Sequence, residues 1–235
     1  MSKIVFTPHA SGTANFTITS PNSNTNRQVD LPDAAGGVVI DSATQTLTNK
    51  TLTSPVLSGT VTGTYTLGGT PTFPAGMVLQ VKQTAKTDTT SFVSTSTNAY
   101  ADITGMSVTI TPISTSSKIL VLLNIHVSQS TNATTHVRLL RGSTVIGYGD
   151  PTGNRLGDTV ATRTSGAPYT YEIPNLSMSY LDSPATTSAT TYKLQGTLGA
   201  SYSGTFYLNR TSGDADNSDY VVRTISTITV MEIAG

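Results

Sequence analysis

The acidic loop near the end of the chain has the side chains best suited to binding an ion. Asp214, Asp216 and Asp219 fall close together, with an asparagine between them. Calcium prefers hard oxygen ligands of this kind, but the loop lacks the glycine and the distal glutamate of a helix-loop-helix calcium site. A solvated hairpin loop is therefore the favoured interpretation. We expect no metal and no cofactor, and these three carboxylates are weak candidates.

The histidines, His9, His126 and His136, are a second set of possible ligands. His126 and His136 fall in strands predicted to be neighbours, so their rings would be able to meet. The chain has no cysteine, and no carboxylate stands at ligand spacing from either ring. We expect structural or surface roles for these histidines. If the chain forms a trimer, His126 is the better candidate for a position on its axis, where three copies of the ring would meet.

Catalytic motifs are missing from the sequence. It has no G-x-S-x-G nucleophile and no phosphate-binding glycine loop before a helix. Asp150, Asp158, Glu172 and Asp182 are spread over loops and strand ends, which leaves a glycosidase-type carboxylate pair open. Because nothing else accompanies these carboxylates, we predict that the protein is not an enzyme.

The longest predicted loop, residues 149–168, is the best candidate for binding a partner. Long loops held by rigid sheets often carry function. Two tyrosines in or beside loops add apolar area with a hydroxyl group. The predicted receptor-binding or partner-binding residues are Tyr148, Asp150, Asn154, Arg155, Asp158, Arg163 and Tyr202.

Strands must position these residues. Charged residues make up 11% of the chain, against about 25% in ordinary domains. Serine and threonine make up about three residues in ten, which favours strand surfaces and turns. Alternating apolar residues predict strands over 77–82, 91–93, 106–111, 118–127, 135–141, 144–148, 169–173, 176–181, 191–195, 204–209 and 220–233. The pattern predicts an all-β protein with a jelly-roll-like β-sandwich.

Two strands of this predicted sandwich have special positions. The apolar run from Ile119 to Leu123 suits a strand covered on both faces, on one by the opposing sheet and on the other by a neighbouring subunit. The last strand runs almost to the C-terminus, which predicts that the end of the chain is held inside a sheet.

Leucines of the N-terminal part recur at an unusual spacing. Leu47, Leu52 and Leu57 are five residues apart, which fits neither a single helix nor a single strand. One copy has too few apolar side chains for a core. We predict a homotrimer in which these residues and Leu67 line the axis. A glycine- and proline-rich segment then separates an N-terminal assembly and shaft segment, 1–75, from a C-terminal head, 76–235.

Charge limits the partners that the chain can attract. The formal net charge is zero and the isoelectric point is about 6.8, so no positive field favours nucleic acid. The sequence begins without an apolar run long enough for a signal peptide or membrane span. We therefore expect synthesis in the cytoplasm without membrane insertion.

Two segments of the N-terminal part resemble repeated units of a known family. The segment from Phe16 to Gly37 has the order strand, Pro-Asn, strand, Leu-Pro, Gly, and the segment from Gln45 to Pro55 reads QTLTNKTLTSP. Both resemble tail-fibre and virion appendage proteins of tailed bacteriophages, especially marine and cyanobacterial ones. The remainder is similar in outline to the jelly-roll heads of such fibres and to trimeric heads of the tumour necrosis factor and C1q type.

The resemblance implies a homotrimer on a virion made in the host bacterial cytoplasm, in contact with other tail or capsid proteins. The first interpretation is a tail fibre whose head attaches to a host cell-surface glycan or protein. The alternative is a trimeric capsid decoration (cement) protein or head fibre that stabilises the shell. The fibre-type units favour the first interpretation, and the short length favours the second.

Overall fold

The computed structural model describes residues 73–95, 98–164, 171–199, 201–216 and 219–235, together with Ser11, Gly12, Thr51, Val56, Thr60 and Thr62. The chain divides into two units, Met1–Thr64 and Tyr65–Gly235. Leu47, Leu52, Leu57 and Leu67 lie outside the described residues, as does His9, so the trimer axis stays a prediction. The predicted boundary between an N-terminal segment, 1–75, and a head, 76–235, also stays a prediction.

Strands dominate the described part of the second unit. They are β1 Val78–Lys86, β2 Thr90–Ser94, β3 Ala101–Ile110, β4 Lys118–Gln129, β5 Thr134–Arg141, β6 Thr144–Ile146, β7 Val160–Arg163, β8 Asn175–Asp182, β9 Thr190–Leu198, β10 Gly204–Leu208 and β11 Ser226–Ile233. The prediction of an all-β protein is confirmed.

The strands form two antiparallel sheets. In the first sheet β1, β11, β4 and β8 are neighbours, and β10 and β2 extend it beside the C-terminal end of β4. In the second sheet the order is β3, β9, β5, and the far edge of β5 pairs with both β6 and β7. The order β1-β11-β4-β8 opposite β3-β9-β5-β7 is that of a jelly roll. The predicted jelly-roll-like sandwich is therefore confirmed.

The core lies between the two sheets and begins with β4. Alternate residues of this strand point inward, because side chains in a strand alternate between its faces. Each of these apolar side chains stabilises the fold by about 1.5 to 3 kcal/mol through burial. They are Ile119, Val121, Leu123, Ile125 and Val127, all at most 3% exposed. Phe206 of β10 stacks on Phe92 of β2 at 4.7 Å between ring centroids and extends the core.

The outer face of the first sheet is apolar along one line. Val81 lies opposite Met231, Met231 opposite Leu120, and Leu120 opposite Leu181, so one row crosses all four strands. We call these four residues the apolar row. Val81 is 50% exposed and Leu181 is 54% exposed. The second sheet covers the inner face of residues 119–123. The expectation that a neighbouring subunit covers their outer face stays a prediction.

Several of the predicted strands differ from those of the structure. Tyr171, Glu172 and Ile173 are outside any strand, whereas Val160–Arg163, which lies inside the predicted long loop, forms β7. The four residues of β7 are strand because β5 offers them backbone partners, a tertiary effect that local pattern does not carry. The last strand begins at Ser226 rather than Tyr220 and lies between β1 and β4, as expected for a chain end inside a sheet.

A buried carboxylate ties the two sheets together. Asp182 at the end of β8 accepts two hydrogen bonds from Arg141 of β5, both 2.9 Å long, and one from the Tyr192 hydroxyl of β9 at 2.7 Å. Asp182 is 5% exposed and Tyr192 fully buried. Burial, followed by the bond to Asp182, raises the pKa of Tyr192, so its hydroxyl stays a donor at physiological pH.

A second buried carboxylate, Glu232 of β11, lies near the opposite edge of the first sheet. It accepts hydrogen bonds from the Gln80 amide at 2.6 Å and from the Ile113 backbone N–H at 2.7 Å. Burial acts to raise the pKa of Glu232, but hydrogen bonds led by that of Gln80 outweigh it and hold the pKa below its usual value. The stabilisation is therefore present at neutral pH and is lost as the pH falls through the lowered pKa.

We predict that Asp182→Asn lowers the free energy of unfolding by about 2 to 3 kcal/mol, because it leaves a partly buried guanidinium without its counter-charge. The matched control is Asp102→Asn, which removes the charge of a side chain that is 55% exposed and ion-paired with Lys193. This change should lower the free energy of unfolding by at most about 1 kcal/mol. Urea unfolding at neutral pH and fixed protein concentration measures both. Equal losses in the two variants would contradict the assignment of Asp182 as a tie between the sheets.

Candidate functional site

The loop between β6 and β7 leaves the edge of the second sheet and returns almost where it left. Ile146 lies opposite Leu139 of β5, and Val160 lies opposite Val137, only two residues further along. The Gly149 N–H donates to the Asp158 carbonyl at 3.0 Å, which closes the base of the loop. Residues 147–159 therefore form a compact excursion at the edge of the sheet; we call it the excursion loop.

Asp158 fastens this loop to the outer face of the second sheet. Its side chain is 9% exposed, and one carboxylate oxygen lies 2.5 Å from Nδ1 of His136 on β5. The other oxygen accepts a hydrogen bond from the Tyr100 hydroxyl, just before β3. Burial, followed by the bond to Asp158, raises the pKa of Tyr100. A carboxylate that is ionised only accepts, so in that state Nδ1 is the donor and Nε2 does not take part in this contact.

A polar network continues from this pair across the outer face of the second sheet. The guanidinium of Arg138 lies over the Tyr100 ring, 4.0 Å from its centroid, and donates two hydrogen bonds to Gln195. Gln195 and Lys193 both donate to Asp102. Hydrogen bonds from these two residues, that of Lys193 first, lower the pKa of Asp102. This face is charged, in contrast to the apolar row on the other sheet.

A cleft opens beside the His136 ring. Its volume is about 870 Å³, within the range of small-ligand sites. The excursion loop forms one side, and the segments before β3 and after β9 form the other. The lining residues are Asn98, His136, Gly153, Asn154, Arg155, Leu156, Gly199 and Ser201. Three segments distant in sequence and one strand thus build a single polar concavity, which we call the cleft.

Two details of the cleft bear on what it can bind. The side-chain oxygen of Asn98 is buried and accepts no hydrogen bond from any described group, while the backbone of Asn98 has a positive φ of 54°, which asparagine tolerates better than most residues. Gly199 leaves space beside the His136 ring, because a Cβ there would lie 3.5 Å from Nε2. Nε2 of His136 can accept a hydrogen bond in the cleft when the ring is neutral, and Asn98 Oδ1 is an unpaired acceptor buried in its wall.

The predicted binding residues are only partly brought together. Asn154 and Arg155 line the cleft, and Asp158 bonds His136, which lines it as well. Asp150 is exposed on the same loop without lining the cleft. Arg163 belongs to β7 and borders a separate shallow cavity with Glu172. Contact of these residues with a partner stays a prediction.

The two candidate tyrosines differ in their surroundings. Tyr148 is half-exposed and its ring packs at Gly157, where a Cβ would come within 2.9 Å of it. Tyr202 is partly buried and packs against the core. Their predicted contact with a partner stays a prediction, and Tyr148 is the more accessible of the two.

Sequence reasoning missed four residues of the site: Asn98, Tyr100, Gly199 and Ser201. Their loops are short and carry no motif, so no local signal marks them. His136 was expected to have a structural or surface role, and the prediction that its strand neighbours that of His126 was wrong. His126 lies on β4 in the first sheet and His136 on β5 in the second, and these two strands do not pair.

The acidic loop is occupied by ion pairs of its own. Asp214 accepts hydrogen bonds from Arg210 at 3.0 Å and from Arg223 at 2.9 Å. Two guanidinium groups beside this carboxylate oppose the approach of a cation. Asp216 and Asp219 are exposed, and the described residues contain no group of three or more potential metal-ligating His, Cys, Asp or Glu side chains.

Comparisons with known proteins give structural neighbours only. No protein-family model matches the sequence, and no curated protein matches it either. The chain is similar to the infectious bursal disease virus VP2 subviral particle, with a TM-score of 0.32 and 14% identity over 66% of this chain and 38% of that one. It is also similar to the structure of the infectious bursal disease virus Gx strain, with a TM-score of 0.31 and 15% identity over 66% of this chain and 37% of that one.

The chain thus spans less than two fifths of the length of these two structures. Its jelly-roll assignment depends on its own strand order and not on these likenesses. Among the described residues, no helix is long and apolar enough to cross a lipid bilayer.

We predict that Asp158→Asn loosens the excursion loop, because an amide replaces the ionised acceptor of both Tyr100 and His136. Amide hydrogen exchange of residues 147–159 should become about tenfold faster or more. Asp150→Asn makes the same chemical change at an exposed position of the same loop and should leave the exchange unchanged. Equal exchange in the Asp158 variant and the unmodified protein would contradict the role of Asp158 as the fastener.

Proposed function

We propose that the protein is a structural virion protein of a tailed bacteriophage: a homotrimeric tail fibre or appendage whose C-terminal head attaches to the host surface. The observation that carries the proposal is the difference between the two outer faces of the sandwich. One face has the composition of a subunit contact and the other that of a solvated recognition surface. The resemblance of segments 16–37 and 45–55 to fibre units supports the virion location.

The first-sheet face supports self-association. An antiparallel sheet that faces water on one side normally carries polar side chains there. Here the apolar row crosses the sheet, and the next row, Gln83, Thr229, Leu122 and Ser179, contains no charged residue. Apolar patches with a polar rim are typical of protein contacts. Cover by identical copies removes the row from water without requiring a charged partner.

The second-sheet face supports recognition. Its charged side chains form the polar network, and the excursion loop adds the cleft at its edge. In a trimer joined through the first sheet, each second sheet would face outward, and three clefts would be displayed at once. Three weak sites whose spacing matches the target bind with higher avidity than one.

We propose binding rather than catalysis. The carboxylate of Asp158 is held by His136 and Tyr100, and that of Asp182 by Arg141 and Tyr192. Each has its hydrogen-bonding capacity largely used by the fold, which disfavours a role for either as general acid or nucleophile. This supports the view that the acidic residues position the loop and sheets.

Immunogold labelling of intact virions with antibodies against the chain tests the location. Label confined to the tail or its appendages would support the fibre. Label over the whole head would overturn it in favour of the capsid decoration alternative, in which the cleft would contact a neighbouring coat protein.

The trimer contact generates a matched prediction. Val81→Lys places a charge in the apolar row and should lower the urea concentration at which the trimer dissociates, because burying an unpaired ammonium is costly. Val93→Lys is the control, since Val93 is 73% exposed on β2 and outside the row, and it should leave dissociation unchanged. Light scattering during a urea titration measures both. A monomeric unmodified chain, or equal midpoints for the two variants, would rule out this contact.

A further inference from the structure

We infer that the cleft binds a saccharide bearing a carboxylate, such as a hexuronic acid unit of a bacterial surface polysaccharide. The inference rests on the proposed attachment function and names the chemical class of its target. It follows from the charge of the cleft, from its unsatisfied acceptors and from the space that Gly199 leaves open.

The charge of the cleft favours an anionic group. Arg155 is exposed, lines the cleft, and donates from Nε to the Thr152 carbonyl at 3.2 Å. It forms no ion pair within the part of the chain that the structure describes. The Asp158 carboxylate is hydrogen-bonded to Tyr100 and His136 and is not among the groups that line the cleft. A guanidinium with free Nη groups is suited to the two oxygens of a carboxylate.

The acceptors at the cleft favour a ligand that also donates hydrogen bonds. Asn98 Oδ1 is buried without a donor, and a buried polar atom left unpaired costs free energy. His136 Nε2 is a second acceptor when the ring is neutral, because Nδ1 is committed to Asp158. Sugar hydroxyls supply such donors, and the Asn154 and Ser201 side chains can bond further hydroxyls.

The same groups distinguish between anionic ligands. A phosphate dianion offers acceptors alone and would leave Asn98 Oδ1 unsatisfied. Nucleic acid would need a wider positive field than a chain of zero net charge provides. A polyhydroxylated acid satisfies both requirements, the carboxylate pairing with Arg155 and the hydroxyls donating to Asn98 and His136.

The depth of the cleft depends on Gly199. A methyl group at this position would lie 3.5 Å from His136 Nε2, an ordinary contact distance. The φ of Gly199 is not in the left-handed region, so alanine fits the backbone. Gly199→Ala therefore covers Nε2 with little strain and provides a variant that blocks the site without unfolding the head.

Calorimetric titration of the full-length protein tests the inference with two probes, tri-galacturonic acid and its fully methyl-esterified form. The two share hydroxyl groups and differ in charge. We expect the acid to bind about tenfold or more tightly than the ester. Arg155→Gln should remove that difference, and Gly199→Ala should weaken binding of both probes. Arg163→Gln, which removes the same charge outside the cleft, should change neither.

Binding of the acid no tighter than that of the ester would overturn the inference, as would affinities that Arg155→Gln and Gly199→Ala leave unchanged. The proposed function fails separately, because virion labelling and trimer dissociation do not involve the cleft. A trimer that labels virion tails and binds neither probe would retain the proposed function and refute the acidic-saccharide site.

Discussion

Two stacked sheets can cover only one face of each other, and this constraint governs the molecule. Strand β4 is apolar on both of its faces, so packing against the second sheet satisfies Ile119, Val121 and Leu123 and leaves Leu120 and Leu122 partly exposed. Neighbouring strands repeat the arrangement through Val81, Met231 and Leu181. Apolar residues on an outer face, beyond those of the core, are the basis of the subunit contact that we propose.

The second sheet also has an outer face that the first sheet does not cover, and this face is polar. Its outer face carries ions joined in sequence across β3, β9 and β5, and each carboxylate in the network has a hydrogen-bond donor. Asp102 is held by Lys193 and Gln195, and Asp158 by His136 and Tyr100. Paired charges on a solvated surface contribute little stability. Their effect here is to fix the orientation of side chains on this face, as the recognition role we propose would require.

The sequence indicated the long strands well, because their signal is local. The alternation in β4 and the apolar positions of β9 and β11 follow from burial of one face and are visible in any short window. Strand β7 was missed because its four residues become a strand through pairing with β5. The start of β11 was misplaced because Val222 and Ile225 continue the apolar pattern but are 41% and 48% exposed.

Of the residues that line the cleft, loop composition indicated Asn154 and Arg155. Asn98, Gly199 and Ser201 arrive from other loops, and only the folded chain brings them there.

The excursion loop leaves β5 opposite Leu139 and rejoins it opposite Val137. Its two ends are therefore fixed by the sheet, whatever lies between them, and the entropy of closing a loop grows only slowly with its length. Insertions or replacements between residues 149 and 157 would leave the register of every strand as it is. Under the function we propose, mutation could change the binding specificity of this segment without altering the core or the proposed subunit contact. The fold thus separates residues on which every strand depends from a segment whose sequence is free to vary.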